Sequence, residues 1–258
     1  MITQEQLTSL SKKFKTNAAT VLREYLQIWF LSRLYSFTGS EEIFFKGGTA
    51  LHLIFGAPRF SEDLDFTVQT EVEAFERFIK PVFKALSREE EVEFKGRKTL
   101  TGKRFLLTAR PSVVNYPVFI NLDFSFREKV LSPQKSIIKT QFPVLFTAYV
   151  YHLSAQEIMA EKIRAVMTRK KGRDLYDLWF LGSKGILPEE RLVKEKLNYY
   201  GLAKTSKEEI LKRVESFSKG DFILDLRPFV PVGEREKLGV FFEYLKDFLS
   251  KTLEISSE

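Results

Sequence analysis

A chain of 258 residues with 44% hydrophobic and 29% charged residues has a globular composition, and its 25 phenylalanines can fill a hydrophobic core. The absence of cysteine excludes disulfides, thiolate metal sites and cysteine nucleophiles, so a bound metal would need oxygen ligands or the two histidines. The formal net charge of +7 favours a polyanionic partner, although a lysine-rich solvated surface explains 41 basic against 34 acidic residues equally well.

The N-terminal sequence contains no targeting pattern. Residues 1–5 do not form a basic segment followed by an apolar one, and no apolar run approaches the length that spans a bilayer. We therefore expect a cytoplasmic protein without a membrane partner.

The first part of the chain alternates between predicted helices and strands. Apolar residues spaced three and four apart predict a helical pair over the first forty residues. Residues 43–45 predict a short strand, and the pair Gly47-Gly48 predicts the turn from this strand into a helix. A second strand covers residues 63–68, and a helix with one apolar face covers residues 71–86.

Three further strands are predicted between residues 91 and 126. In the last of them Asp123 lies on the face opposite the apolar side chains, because side chains alternate along a strand. Beyond the prolines of residues 133–143 the sequence is mostly helical. We therefore predict an α+β fold with a twisted mixed sheet, in which residues 1–140 form N-terminal helices and a catalytic domain and residues 141–258 form a mainly helical domain.

Two glycines and two aspartates form the first candidate site. Gly47 and Gly48 open a helix whose first backbone N–H groups suit a phosphate, and Asp63 and Asp65 point to one side of a strand and can share a divalent cation. An isolated Asp-x-Asp would be better explained as a solvated edge strand. The combined order favours a nucleotidyl-transfer site, because that chemistry needs divalent cations and in-line placement of two oxygens. Asp123 is the candidate third carboxylate, with an ordinary surface residue as the alternative.

A second candidate site lies in the predicted helices. Residues 154–157, Ser-Ala-Gln-Glu, fit a capping box and set the register of a helix on which Lys162 shares an apolar stripe. The Lys162 ammonium can extend to a phosphate or simply reach water. On the next helix Asp174 is placed to cap the first turn, whereas Asp177 is one turn further on. Either can instead pair with Arg164 or Arg173.

Other polar residues give weaker indications. The basic residues 169–173 offer phosphate contacts for RNA, or form a solvated face. We interpret His52 as a packing residue and His152 as a surface residue before a helix. Ser61 has no histidine partner in the sequence pattern and is not predicted to be a hydrolase nucleophile.

Two blocks of the sequence resemble a known family. Residues 46–51, Lys-Gly-Gly-Thr-Ala-Leu, with residues 59–66, Arg-Phe-Ser-Glu-Asp-Leu-Asp-Phe, are similar to the first motif of the AbiEii/AbiGii-type toxins. These toxins are a branch of the polymerase-β-like nucleotidyltransferases. Residues 161–165 and 173–178 are similar to the downstream motif of the family, a lysine-bearing helix followed by an Arg-Asp-x-x-Asp helix.

The resemblance implies a polymerase-β-like nucleotidyltransferase fold whose helical half helps to close over nucleotide and acceptor. It also implies a toxin that uses Mg²⁺ (or Mn²⁺) and a nucleoside triphosphate to place nucleotides on an acceptor, in some members the 3′ end of tRNA, usually with a separate antitoxin. The residues it implies are Asp63 and Asp65 for metal, Gly47, Gly48, Ser61 and Lys162 for nucleotide, and Asp174 or Asp177 as the additional acid.

The leading hypothesis is therefore a Mg²⁺-dependent nucleotidyltransferase that releases pyrophosphate, with RNA as the favoured acceptor. The same chemistry on a protein or small-molecule hydroxyl is one alternative. A non-catalytic module that binds nucleic acid or an antitoxin on the same fold is another, and it predicts RNA binding that is indifferent to Mg²⁺.

Overall fold

The contacts that the chain makes with itself divide it into two units. The computed structural model describes residues 1–99 and 101–254. The first unit comprises Met1–Gly56 and Phe60–Leu153, and the second comprises Ala57–Arg59 and Ser154–Glu258. The sequence prediction instead divides the chain between residues 140 and 141, and the last four residues of its second domain, 255–258, lie outside the described residues.

The first unit combines helices with a sheet. Its α-helices are α1 (Gln4–Phe14), α2 (Ala18–Leu34), α3 (Gly47–Leu53) and α4 (Val72–Glu89), and a 3₁₀ helix covers Ser40–Glu42. Its strands are β1 (Ile43–Lys46), β2 (Leu64–Val68), β3 (Val92–Arg97), β4 (Lys103–Ala109), β5 (Val118–Ser125), β6 (Pro133–Ser136) and β7 (Val150–Leu153).

These strands form one mixed sheet in the order β3-β4-β5-β2-β1-β7-β6. β2 runs parallel to β5 and β1 runs parallel to β7, whereas the other neighbouring pairs are antiparallel. The predicted α+β class with a mixed sheet is confirmed. The sequence did not predict β6 and β7, and the pairing of β7 with β1 places the residues up to Leu153 in the first unit.

Phenylalanines fill the apolar side of this sheet. The rings of Phe66 on β2 and Phe124 on β5 stack with their centroids 4.8 Å apart, and Phe75 of α4 packs on Phe124 at 4.7 Å. Phe83 of α4 stacks on Phe94 of β3 at 4.0 Å. The alternation predicted for β5 is confirmed, because Val118, Ile120, Leu122 and Phe124 are buried, whereas the intervening residues, Phe119 among them, are exposed or partly exposed. The same strands therefore present their polar residues on the opposite face.

The second unit is helical within the described residues. Its α-helices are α5 (Ala155–Thr168), α6 (Gly172–Ser183), α7 (Glu190–Asn198), α8 (Lys207–Glu215), α9 (Lys219–Leu226) and α10 (Leu238–Glu254), with 3₁₀ helices at Arg227–Phe229 and Val232–Lys237. Aromatic residues join α6 to α10, where the rings of Trp179 and Phe241 lie edge to face at 4.7 Å. Over the described residues of both units, every helix is too short or too polar to cross a membrane.

Candidate active site

A glycine turn joins β1 to α3 and lies against a carboxylate. Gly47 adopts φ +78°, a conformation that residues with a Cβ atom rarely adopt. A Cβ atom on Gly47 would also overlap Oδ2 of Asp65. The side chain of the N-cap residue Lys46 makes no capping hydrogen bond to the first turn of α3. Glycine is therefore required at position 47 both by the backbone and by the approach of Asp65.

Hydrogen bonds to the backbone fix the segment that leads into β2. Gln27 donates from Nε2 to the carbonyl oxygen of Ser61 at 3.0 Å, and the Thr49 hydroxyl donates to the carbonyl oxygen of Asp63. Asp63 is the residue before β2 rather than part of it. Its Oδ1 accepts a hydrogen bond from Nδ2 of Asn121 at 2.9 Å, so its carboxylate reaches the side chains of β5.

Asp65 and Asp123 lie side by side on neighbouring strands. β2 and β5 are parallel, and Asp65 is the register partner of Asp123. Register partners present their side chains on the same face of a sheet. The structure thus brings together two carboxylates that are 58 positions apart in the sequence, on the face opposite the phenylalanines.

These two aspartates belong to a row of charged residues that crosses five strands. In register, the row consists of Arg97 on β3, Arg104 on β4, Asp123 on β5, Asp65 on β2 and Lys46 on β1. We call these five residues the charged row. Lys46 is buried at one end and Arg97 is exposed at the other, so the row opens to solvent toward β3, an edge strand of the sheet.

Arg104 is the immediate counter-ion of this carboxylate pair. Its Nε donates a hydrogen bond to Oδ1 of Asp123, and 45% of the Arg104 side chain and 27% of the Asp123 side chain are exposed. The hydrogen bond to Asp123, together with the charges of Asp123, Asp63 and Asp65, raises the pKa of Arg104 even though burial acts the other way. The guanidinium therefore responds to all three aspartates predicted to bind metal.

The donor set fits a divalent cation that is shared with a substrate. In the part of the chain that the structure describes, no group of three or more histidine, aspartate and glutamate side chains could hold a metal ion by itself. Mg²⁺ is usually held by one or two carboxylates together with substrate phosphates, and the pair Asp65 and Asp123 matches that requirement. Asp63 accepts its hydrogen bond from Asn121, and Asp123 is already paired with Arg104. The metal set Asp63, Asp65 and Asp123 stays a prediction.

The second candidate site is a buried ionic cluster within the second unit. We use this name for Arg59, Lys162, Asp174 and Asp177. Arg59 binds Asp177 in a bidentate manner, with Nε to Oδ1 and Nη2 to Oδ2 both at 2.6 Å. Lys162 on α5 places Nζ 3.0 Å from Oδ1 of Asp174 and 2.7 Å from Oδ2 of Asp177, both on α6. The side chains of the two aspartates are 1% and 0% exposed, so the cluster is a desolvated ion-pair network.

The charges in the cluster keep one another ionised. Burial alone would raise the pKa of Asp177, but the charges of Arg59 and Lys162 lower it. Burial would likewise raise the pKa of Asp174, but Lys162 and Arg169 lower that pKa far below its usual range. The two carboxylates in turn raise the pKa of Lys162 against the effect of burial. Arg169 adds a bidentate contact to Asp174 from the rim of the cluster, at 2.8 and 2.9 Å.

Several predictions for the second site can be compared with these contacts. The Lys162 side chain is 9% exposed, and its ammonium lies between the carboxylates of Asp174 and Asp177. The structure pairs Asp174 with Arg169 and Asp177 with Arg59, whereas the sequence analysis considers Arg164 and Arg173 as their partners. Ser154 caps α5 by accepting a hydrogen bond from Glu157 N at 3.1 Å, which is one of the two contacts of the predicted capping box.

The prediction for His152 was wrong. His152 is 1% exposed rather than a surface residue, with Nε2 2.9 Å from the Ser136 hydroxyl and Nδ1 2.8 Å from the Leu153 carbonyl oxygen. It lies on β7 inside the sheet, a strand that the sequence pattern did not predict.

The sequence prediction missed two residues with central contacts. Arg59 stands in the block that resembles the first family motif, but a role for it follows only from its partner 118 positions later. Arg104 pairs with Asp123 only because of the register between β4 and β5. For Arg59 the available signal was its place two residues before Ser61, whereas no local pattern in the sequence marks Arg104.

A mixed sheet that carries paired aspartates beside a glycine turn defines a nucleotidyltransferase-type α+β protein. The model of the family described as nucleotidyl transferase AbiEii toxin, Type IV toxin–antitoxin system, matches residues 29–252. The chain therefore belongs to the AbiEii nucleotidyltransferase toxin family, and it is a nucleotidyltransferase.

Solved structures agree with this fold. The chain is similar to MenT4, a nucleotidyltransferase toxin from Mycobacterium tuberculosis, with a TM-score of 0.65 and 20% identity over 96% of this chain and 90% of that one. It is also similar to JHP933 from Helicobacter pylori, with a TM-score of 0.54 and 20% identity over 92% of this chain and 94% of that one. The comparison with curated proteins gives no significant match. The predicted family and fold are confirmed.

Proposed function

We propose that this chain transfers a nucleotide from a nucleoside triphosphate to an acceptor hydroxyl and releases pyrophosphate. The favoured acceptor is the 3′ end of an RNA such as tRNA. The observation that supports this chemistry is the in-register pair of Asp65 and Asp123 beside the Gly47 turn. Membership of a nucleotidyltransferase toxin family supports the same reaction class.

In this proposal Gly47 and Gly48 lie at the triphosphate with Ser61, because the turn carries no side chain that would block an approaching phosphate. Asp63, Asp65 and Asp123 would hold Mg²⁺ or Mn²⁺. The bound cation would neutralise charge that develops on the transferred phosphoryl group. The acceptor oxygen forms a bond to the α-phosphorus, the bond from that phosphorus to the pyrophosphate oxygen breaks, and the hydroxyl proton is released to solvent.

The buried ionic cluster is assigned to activity only through the family resemblance. There Lys162 would neutralise phosphate charge, and Asp174 and Asp177 would be additional acids required for activity. Their mutual contacts support a narrower first role, which is to hold the Lys162 ammonium charged and fixed in place. The toxin family further suggests a cognate antitoxin protein as a partner, and we expect the protein to act in the cytoplasm.

The reaction can be tested with purified protein, Mg²⁺, total tRNA and each labelled nucleoside triphosphate in turn. We expect label on tRNA with at least one triphosphate, and loss of that label with EDTA or with Asp63→Ala. Glu93→Gln is the matched control, because Glu93 is an exposed carboxylate of the same sheet that pairs with Arg110. Absence of transfer with every triphosphate, or transfer that survives Asp63→Ala, would contradict the proposal.

The same experiment separates the alternatives. Label on a protein or small molecule instead of tRNA would keep the chemistry and change the acceptor. Binding of tRNA without transfer, at the same affinity with and without Mg²⁺, would indicate a non-catalytic module.

A further inference from the structure

The charged row has basic residues on both sides of its two carboxylates. Lys46 lies on the side of Asp65, next to the glycine turn where we place the triphosphate. Arg104 and Arg97 lie on the other side, beyond Asp123. The proposed function gives these two arginines no role, although they are in register with the reacting centre.

Both arginines are available to a ligand. Arg97 is exposed, and over residues 1–99 and 101–254 its side chain forms no hydrogen bond or ion pair. Arg104 is held by its Nε–H bond to Asp123, which within that same part of the chain is its single side-chain hydrogen bond. Its terminal N–H groups make no hydrogen bond within the described residues. Guanidinium groups bind phosphate with two parallel N–H donors, which makes this arrangement suited to phosphate rather than to a neutral ligand.

The position of Arg97 and Arg104 in the sheet favours contact with the acceptor rather than with the triphosphate. Neighbouring strands are about 4.8 Å apart, so the backbones of Arg104 and Arg97 lie roughly 5 and 10 Å from the Asp123 strand. Both arginines therefore lie on the side of the carboxylates away from the proposed triphosphate. In-line transfer requires the acceptor hydroxyl to approach the α-phosphorus from the side opposite the leaving pyrophosphate. The row is also open to solvent at this end, as a large acceptor requires.

We propose that Arg104 and Arg97 bind the phosphodiester backbone of a nucleic-acid acceptor next to its attacking hydroxyl. This inference rests on the proposed function and assigns two residues of the same site to the acceptor that the proposed function favours. A nucleic-acid 3′ end carries phosphates beside its terminal hydroxyl, whereas a protein hydroxyl does not. The Arg104–Asp123 pair then has two tasks, because Asp123 fixes the guanidinium that receives the acceptor beside the carboxylates that receive the cation.

Binding of fluorescently labelled tRNA, measured by anisotropy without nucleotide, tests the contact directly. We expect Arg104→Gln and Arg97→Gln each to weaken tRNA binding about three- to tenfold and to reduce the slope of log affinity against log salt by about one. Arg110→Gln is the matched control: Arg110 pairs with the exposed Glu93 away from the charged row, and its removal should change neither quantity by more than about twofold. In transfer assays the KM for tRNA should rise in the same proportion, while the KM for the triphosphate stays unchanged.

A double variant separates contact from simple charge balance. Arg104→Gln with Asp123→Asn removes one charge of each sign, so net charge is restored but the guanidinium is missing. If Arg104 contacts the acceptor, tRNA binding stays weak in the double variant. If binding returns to the wild-type value, Arg104 serves only as a counter-ion and the inference fails.

Further outcomes of the binding and transfer assays distinguish failure of this inference from failure of the proposed function. An increased KM for the triphosphate with unchanged tRNA binding would assign the arginines to the nucleotide and overturn the inference, as would wild-type protein that does not bind tRNA. Wild-type protein that binds tRNA through Arg97 and Arg104 but transfers no nucleotide would contradict the proposed function and support the contact.

Discussion

The two sets of aspartates in this protein have opposite environments. Asp65 and Asp123 lie on an open sheet face, and their neighbour Arg104 is nearly half exposed. Asp174 and Asp177 are sealed among helices with Arg59 and Lys162, and their side chains have almost no exposed surface. Both sets of carboxylates are near cationic side chains. Only the aspartates of the sheet can exchange a cationic partner at a small cost in free energy.

The difference follows from desolvation. A half-exposed ion pair contributes little to stability, because water and salt replace either partner readily. A buried pair cannot lose one member without leaving an uncompensated charge in a medium of low dielectric. We therefore expect the sheet aspartates to be sensitive positions for chemistry and the helical aspartates to be sensitive positions for folding.

The largest effect on stability is expected for Asp177→Asn. The substitution leaves the buried Arg59 and Lys162 with too little negative charge, and loss of one partner of such a network costs about 3–5 kcal/mol. Urea denaturation followed by circular dichroism measures the effect. Asp247→Asn, which breaks a pair with Lys251 on the surface of α10, should cost at most about 1 kcal/mol. Equal losses for the two variants would show that burial does not distinguish them.

Asp65→Asn should show the converse pattern. Removal of one carboxylate relieves repulsion with Asp123, so the denaturation midpoint should stay the same or rise slightly. Transfer should nevertheless fall by about 10³-fold, because metal-assisted stabilisation of developing charge is worth several kcal/mol. The measurement is kcat alongside thermal unfolding of the same preparation. A variant that unfolds early but keeps its activity per folded molecule would reverse our assignment of this site.

Gly47 offers a smaller and more local test. Gly47 and Gly56 both adopt φ +78°, but a Cβ atom at position 47 overlaps Asp65 whereas one at position 56 meets nothing within 4 Å. Alanine at either position should therefore cost about 1–2 kcal/mol through the backbone. Only Gly47→Ala should also displace Asp65 and reduce transfer, by roughly 10²-fold. Equal activities of the two variants would argue against a functional turn at Gly47.

The features of the site fall into those that local sequence rules predict and those that depend on contacts between distant residues. Alternation along β5 places Asp123 opposite the buried phenylalanines, and a positive-φ turn needs glycine, so local rules suffice for these features. Arg104 requires the register of β4 on β5, and Arg59 requires a partner 118 positions away. No local rule supplies such information. Strands β6 and β7 were missed because each is four residues long and they lie within or just after the proline-containing stretch 133–143, which resembles a linker.

The acid sensitivity of the buried ionic cluster gives the smallest effect and the most direct check on its charge state. The pKa of Asp174 is lowered in the folded protein, so the unfolded chain binds its proton first as the pH falls. The stability that Asp174 contributes is therefore fully present above its unfolded pKa of 3.8 and is lost as the pH drops toward its folded pKa. The denaturation midpoints of wild type and Asp174→Asn should differ by a constant amount between about pH 7 and pH 5, and the gap should narrow by about pH 3. A gap of the same size at pH 7, 5 and 3 would mean that contacts that do not titrate account for the loss and that the charge of Asp174 does not stabilise the folded protein.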